Sequence, residues 1–492
     1  MANENALKNK VQLITYADAL GGDLKALNTV LTRHFMDIFE GGVHILPPFP
    51  SSGDRGFAPT TYFEIEPSFG TWDDMKAIGE HFGIAVDLMI NHISQRSEYF
   101  QDFLKKGRKS RYADFFLTLD KIWQGGEPVK ADLDKVALRR PVPYSEFTIE
   151  ETGEKERVWT TFGASDPSEQ IDLDVQSPAV QKMFREILTL FAENGVRMVR
   201  LDAVGYVLKK PGTSCFCLEP EMYDYISEVK QITDALQIDI LPEVHADIAI
   251  QYRLAGRGVW IYDFIMPYMV LDTLLFRRHD NLYKYLEDRP ENQFVTLDCH
   301  DGIPVKPDLD GMIDEADALV VVNKCLERGA RVTRVLSESH KGRNGFDVHQ
   351  IVCTYYEALG CDDDAYLAAR AIQFFVPGIP QVYYVGMLAG KNDTRRADLT
   401  GDNREMNRHN YTLEEVDDAV GTSVVQRLMA LARFRNRHPA FDGTFETVAC
   451  PKDRICMRWT QGEDSCTLHV DLGVRRTYIV SVADGREERI EV

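Results

Sequence analysis

Eight short apolar stretches, each running into a polar or proline-rich cluster, limit the fold more than any other feature of the chain. They are Val11–Tyr16, Val43–Leu46 (before Pro47-Pro48-Phe49-Pro50), Ile84–Ile90 (before Asn91-His92) and Val196–Leu201 (before Asp202). Ile238–Leu241 (leading to Glu243 and His245), Val259–Ile265, Phe294–Leu297 and Ile379–Tyr384 complete the set. Segments of helical spacing lie between several of them: Leu24–Phe39, Pro178–Asn194 and Glu221–Leu236. Strands that alternate with helices make a parallel sheet, because a parallel neighbour is reached only through a crossover. Eight such units predict an α/β fold, a (β/α)8 TIM barrel rather than an open doubly wound sheet. No GxGxxG or GxxxxGK[ST] follows any strand, which removes the main support for a nucleotide-binding sheet. A barrel of this kind carries its site at the C-terminal ends of the strands, and the polar residues concentrate there.

Two intervals break the rhythm. Residues 93–170, rich in Lys, Arg, Asp and aromatics, precede the fourth strand, and residues 302–359, with the polar loop Ser337–Asp347, precede the eighth. Structureless loops of that length are rare, so both are expected to be inserted subdomains or lids over the strand ends. From about Phe445 short alternating runs separated by charged turns predict a small C-terminal antiparallel β domain at 445–492. The expected division is a barrel from 1–92, 171–301 and 360–444, with domain B at 93–170 and domain B' at 302–359.

Charge and cysteine usage restrict partners. Of 492 residues, 56 are Lys or Arg and 77 Asp or Glu, a net charge of −21, which repels nucleic acid and anionic membranes. The same surface is awkward for an anionic substrate, which would need local cations. Met1–Lys10 has no signal-peptide pattern, and no apolar run is long enough to span a bilayer. Nine scattered cysteines without CxxC pairs argue against a disulfide framework or a structural zinc site. A cytoplasmic chain with reduced thiols is the expectation, in which the sequons at Asn392 and Asn410 carry no meaning.

Candidate chemistry sits on three strand ends. Alternation along Val196–Asp202 puts Arg200 and Asp202 on one face, where a guanidinium would keep the carboxylate ionised, as a nucleophile requires; a purely structural ion pair fits equally well. Apolar neighbours around Glu243 are expected to raise its pKa, as a general acid requires. Asp298-Cys299-His300-Asp301 supplies a third carboxylate. Clustered acids suit either metal binding or glycoside chemistry. His92, His245 and His300 each stand alone, without HxH or HExxH spacing, so no metal site is expected.

Asp87-Leu-Met-Ile-Asn91-His92, Arg200-Leu-Asp202-Ala-Val, Glu243-Val-His245 and His300-Asp301, in that order, resemble the four signature regions of the α-amylase superfamily, glycoside hydrolase family 13. Gly53-Asp54-Arg-Gly-Phe57, Gln170-Ile-Asp-Leu-Asp174, Gly378-Ile-Pro-Gln-Val-Tyr-Tyr-Val-Gly386 and Asn407-Arg-His-Asn are similar to its sucrose phosphorylase subgroup. The resemblance implies Asp202 as nucleophile, Glu243 as acid/base and Asp301 as transition-state stabiliser. It implies that Asp54, His92, Arg200, His300 and Arg404 hold a glucosyl ring, with Phe57 stacked on it and Gln170 near the nucleophile. Read from the residues alone, Phe57 fits core packing as well, and Asp54 a plain turn. The implied reaction is retaining glucosyl transfer by double displacement with no cofactor, the two carboxyls lying ~5–5.5 Å apart.

The acceptor would be inorganic phosphate, met by Arg139, His349 and Gln350, with Arg140 and Lys306 as further cations. Where sucrose phosphorylases usually carry Tyr this chain has His349, and with Arg139 this resembles the branch that acts on sucrose 6'-phosphate. Arg139 and Arg140 fit solvated lid residues as well. Sucrose itself, glucosylglycerol or glucosylglycerate as donors, and a non-catalytic sugar-binding role, stay open at this point.

Overall fold

The computed structural model describes residues 7–337, 341–342 and 345–492, so parts of Met1–Lys10 and of the Ser337–Asp347 loop lie outside the described residues. Each of the eight apolar stretches overlaps a parallel strand. These are β1 (Gln12–Thr15), β2 (Gly42–Ile45), β3 (Ile84–Met89), β4 (Val196–Asp202), β5 (Asp239–Pro242), β6 (Ile261–Asp263), β7 (Gln293–Val295) and β8 (Ile379–Tyr383). They form one eight-stranded sheet in the order β6-β7-β8-β1-β2-β3-β4-β5, the sequential order of a barrel with β5 and β6 at the two ends. All residues of β1, β3 and β8 are buried, as expected of strands covered on both faces.

The chain divides into two compact units. One comprises 45–246 and 335–347 and carries β3, β4 and β5. Its β3 and β4 pair with Asp87 opposite Arg200, and β4 and β5 with Leu201 opposite Pro242. Helix Pro178–Glu193, started by a proline in its first turn, buries Val180, Met183, Phe184, Ile187, Leu188 and Phe191 along one stripe. In the inserted stretch, His92–Ser94 pairs antiparallel with Gln170–Asp172, so the excursion returns to its starting point. A hairpin (Tyr144–Thr148 with Lys155–Trp159) packs in a cluster of its own with Leu117, Ile122, Trp123 and Val136, the Trp123 and Trp159 rings 5.7 Å apart.

The other unit comprises 1–44, 247–334 and 348–492. There β1 pairs with β8, and β7 with both β6 and β8. Helix Leu24–His34, capped by Asp23, ends short of the predicted Phe39 because the backbone leaves the helical region at Phe35 (φ −127°); Asp37, beyond it, meets Arg433 and Arg437 at 2.8 and 2.9 Å. A three-stranded antiparallel sheet joins Ile303–Pro304, Val348–Val352 and Arg331–Arg334, with helix Glu315–Glu327 beside it in sequence. Five antiparallel strands from Thr444 to Glu491 form the C-terminal sheet, and Trp459 donates its indole N–H to the Phe375 carbonyl at 2.6 Å. All nine cysteines are free thiols. Among the described residues no helix is long and apolar enough to cross a membrane.

Candidate active site

In the first of these units the end of β4 and the residues after β5 build a dense charge cluster. Arg200 is buried, and its Nη1 donates to Asp202 Oδ1 at 2.9 Å and to Asp87 Oδ1, while Nη2 lies 3.6 Å from Glu243 Oε1. One guanidinium therefore serves three carboxylates. The register that sets Asp87 opposite Arg200 makes the first contact unavoidable. Glu243 Oε2 accepts from the backbone N–H of Ala203 at 2.9 Å, and His245 Nε2 lies 3.2 Å from Oε1. Ala203 adopts a left-handed backbone (φ +54°), the turn that follows the candidate nucleophile.

The electrostatics reverse the expectation for this pair. Burial, together with the nearby Glu243 and Asp87 charges, pushes Asp202 well above the usual carboxylate range despite Arg200. Burial would also raise Glu243, but Arg200, His245 and the Ala203 N–H overcome it and pull the carboxyl down to about 2. The expectation that apolar neighbours raise Glu243 is therefore corrected, and at Asp202 burial outweighs the lowering by Arg200. Arg200 is divided among three acids, and Glu243 is ringed by donors rather than by apolar groups. Both carboxyls face the same guanidinium, so they titrate as a pair and not independently.

Four further expected residues gather in this unit. Phe57 is buried with its ring 5.7 Å from the Arg200 guanidinium carbon. Its carbonyl accepts from His92 Nε2 at 2.8 Å and from Gln170 Nε2 at 3.1 Å. Burial pushes the His92 pKa down, partly offset by Asp172, the Phe57 carbonyl and Asp54. Asp54 and Arg55 both have left-handed backbones (φ +49° and +48°), a conformation costly for side chains other than glycine and often concentrated at functional sites. Gly56 completes the turn, since a Cβ there would stand 2.4 Å from the Pro47 carbonyl. Beneath lies a network that sequence reasoning missed. The buried Lys209 ammonium contacts Asp172 at 2.7 Å and Asn91 Oδ1 at 3.0 Å, and Asp172 also accepts from Asn91, Thr161 N and Thr161 Oγ1. Its signal was faint, one lysine seven residues beyond Asp202.

Arg139 and Arg140 behave differently. Arg139 is exposed, its guanidinium 5.9 Å from the Phe162 ring centroid, and Phe162 in turn lies 5.5 Å from the His92 ring. Arg140 is buried and engaged by Ser145, Thr160 and the Ser165 carbonyl, which makes it a structural residue and corrects its reading as an acceptor-side cation.

In the other unit, Asp301 Oδ1 lies 3.7 Å from both Arg404 Nη1 and Arg408 Nη2, with His300 Nε2 at 3.8 Å from Oδ2. Asn407 donates to the Asp301 and Cys299 carbonyls, and Arg408 to that of His300, so the whole strand-end turn is held from Asn407-Arg408. Asp298, in the same turn, instead forms a buried pair with Arg370 at 2.5 Å. His349 is buried, and its Nδ1 donates to the Lys306 carbonyl at 2.6 Å, so any ligand must be met through Nε2. Gln350 is buried beside it in the strand Val348–Val352. Lys306 is not a spare cation: its ammonium pairs with Asp310 at 2.6 Å and Glu315 at 3.6 Å, which corrects that expectation.

Comparison with known proteins extends the local geometry to the whole chain. Residues 18–272 match the catalytic domain of the alpha-amylase family. The chain is 59% identical to a sucrose 6(F)-phosphate phosphorylase of Thermoanaerobacterium thermosaccharolyticum over 98% of its own length and 99% of that protein's. It is 43% identical to a sucrose phosphorylase of Streptococcus mutans, with 93% of each chain covered. The crystal structure of sucrose 6F-phosphate phosphorylase from Thermoanaerobacter thermosaccharolyticum matches it with a TM-score of 0.98 at 58% identity, covering 100% of both chains. With the barrel order and the strand-end carboxylates, these likenesses place it: the chain belongs to the alpha-amylase family, in its branch of glucoside phosphorylases.

Proposed function

We propose that this chain catalyses reversible phosphorolysis of sucrose 6'-phosphate, and of sucrose more weakly, giving α-glucose 1-phosphate and fructose 6-phosphate or fructose. The observation that carries the reading is Arg200 bridging Asp202 and Glu243, two carboxyls at neighbouring strand ends. In the first half-reaction Glu243 gives its proton to the fructosyl oxygen as the C1–O bond breaks, while Asp202 forms an ester to C1. In the second, a phosphate oxygen attacks C1, the ester bond breaks, Asp202 leaves as a carboxylate and Glu243 takes up any proton the phosphate carries. Two inversions retain the α configuration.

The charge pattern of the pair has a place in this scheme. A carboxyl raised at Asp202 beside one lowered at Glu243 leans toward the charge distribution of the glucosyl ester, where Asp202 is esterified and Glu243 must act as base. The first step starts from the other arrangement, one proton transfer away. Asp301 stabilises the oxocarbenium-like transition state with Asp202. Asp54, Phe57, His92, Gln170, Arg200, His300 and Arg404 hold the glucosyl ring. Arg139, His349 and Gln350 take the phosphate groups, and the stretches 93–170 and 302–359 act as lids. Nine free thiols support a cytoplasmic setting.

The test compares kcat/KM on sucrose, sucrose 6'-phosphate and glucosylglycerol in phosphate buffer, with glucose 1-phosphate as the readout. Preference for sucrose 6'-phosphate is expected. His349→Tyr should reduce that preference roughly tenfold, the worth of one charge-assisted contact. Equal use of both sucrose donors by the parent, or an unmoved preference in the variant, overturns the assignment of the phosphorylated donor.

A further inference from the structure

His245 is the one histidine of the signature stretches left without a role, yet it stands 3.2 Å from the acid/base carboxyl. Both oxygens of Glu243 are engaged: Oε2 by the Ala203 N–H, Oε1 by His245 with Arg200 beyond. Arg200 is shared with Asp87 and Asp202, and the Ala203 N–H is fixed by the left-handed turn. His245 is thus a side-chain donor to Glu243 beside the shared Arg200, and the donor set holds Glu243 strongly as a carboxylate.

A carboxylate so well solvated by the protein is a weak base. Weak basicity affects the two acceptors of a glucosyl ester differently. Water must lose a proton as it attacks, so hydrolysis depends on the strength of the base. A phosphate anion is already a nucleophile and needs little help. We infer that His245 is a positioning residue that sets acceptor choice: by donating to Glu243 it weakens the base, suppresses attack by water and leaves phosphate as the favoured acceptor. The inference rests on the phosphorylase reading above and adds to it a reason why the ester survives until phosphate arrives.

The experiment compares the parent, His245→Leu and His245→Gln at saturating donor, with and without inorganic phosphate, counting glucose and glucose 1-phosphate separately. His245→Leu should raise the ratio of glucose to glucose 1-phosphate roughly fivefold through faster hydrolysis. His245→Gln, which keeps a donor at that position, should stay near the parent ratio. A merely structural role would lower both products together. An unchanged or reduced ratio in His245→Leu, or a Gln variant that behaves like Leu, overturns the inference. His245→Ala serves in place of Leu if the latter does not fold. A parent that forms no glucose 1-phosphate defeats the phosphorylase reading instead, and the hydrolytic rates of the variants in phosphate-free buffer still decide the role of His245.

Discussion

Two strands of this barrel end in an aspartate with a buried arginine beside it, and only one of them looks like chemistry. Asp263 closes β6 and meets Arg289 at 2.7 Å, both fully buried. Tyr285 and the backbone N–H groups of Ile265 and Met266 also donate to Asp263, and Arg289 gives its other Nη to the Pro377 carbonyl. That is one cation for one anion with hydrogen bonds to spare. Asp202 closes β4, where Arg200 faces Asp87 and Glu243 as well, one cation for three acids. A strand-end Arg–Asp pair is therefore weak evidence of function. An unbalanced one, whose excess negative charge must be relieved by a proton, is strong evidence, because clustered like charge is costly unless it is used.

The difference predicts opposite phenotypes. At the unbalanced site, Asp202→Ala or Glu243→Gln should lower glucosyl transfer by about a thousandfold or more while the protein stays folded, since these groups act in the transition state. Initial rates with the preferred donor, beside an unfolding curve, check it; near-normal turnover in either variant would remove the pair from the chemistry. At the balanced site, Arg289→Met leaves Asp263 buried without its partner and should cost about 3–5 kcal/mol of stability. Denaturant midpoints measure that loss, and kcat per folded molecule should stay at the parent value. A variant that is stable but inactive would mean that β6 also takes part in the reaction.

How much of this was legible in the sequence follows the range of the interactions. The barrel was legible because each strand is a local apolar run and several crossovers show a local helical pattern; boundaries moved by one or two residues at every strand. Helix Leu24–His34 stopped early at Phe35, where the backbone turns out of the helix although the apolar spacing runs on to Phe39. Asp202, Glu243 and Asp301 were visible as acids at strand ends. Their charge states were not, because sharing of Arg200 depends on the register of β3 against β4 and on His245 folding back onto Glu243. Lys306 was misjudged although its partner Asp310 is only four residues on, a spacing that was itself a signal. Lys209 with Asp172 was missed because an ion pair between an inserted stretch and the turn after β4 leaves no periodic trace.

The smallest effect separates the two aspartates most sharply. Burial raises Asp202 in the folded chain well above its ordinary value, which lies near 4 when the chain is unfolded. A carboxyl raised in this way favours folding fully below the unfolded value, and that contribution is lost as pH rises through the folded value. At neutral pH Asp202 therefore opposes folding relative to a group that cannot ionise. Asp202→Asn keeps the shape and the oxygen facing Arg200, and should stabilise the protein by on the order of 1 kcal/mol at pH 7 while abolishing transfer. The gain should shrink toward zero at about pH 3 and below, where Asp202 is protonated in the folded and the unfolded chain alike. Asp263→Asn should do the reverse at pH 7, because it strips a balanced pair of its anion. Paired melting curves of both variants at the two pH values decide the matter: a loss of stability in Asp202→Asn at pH 7 would show that Asp202, like Asp263, is held chiefly to support the fold.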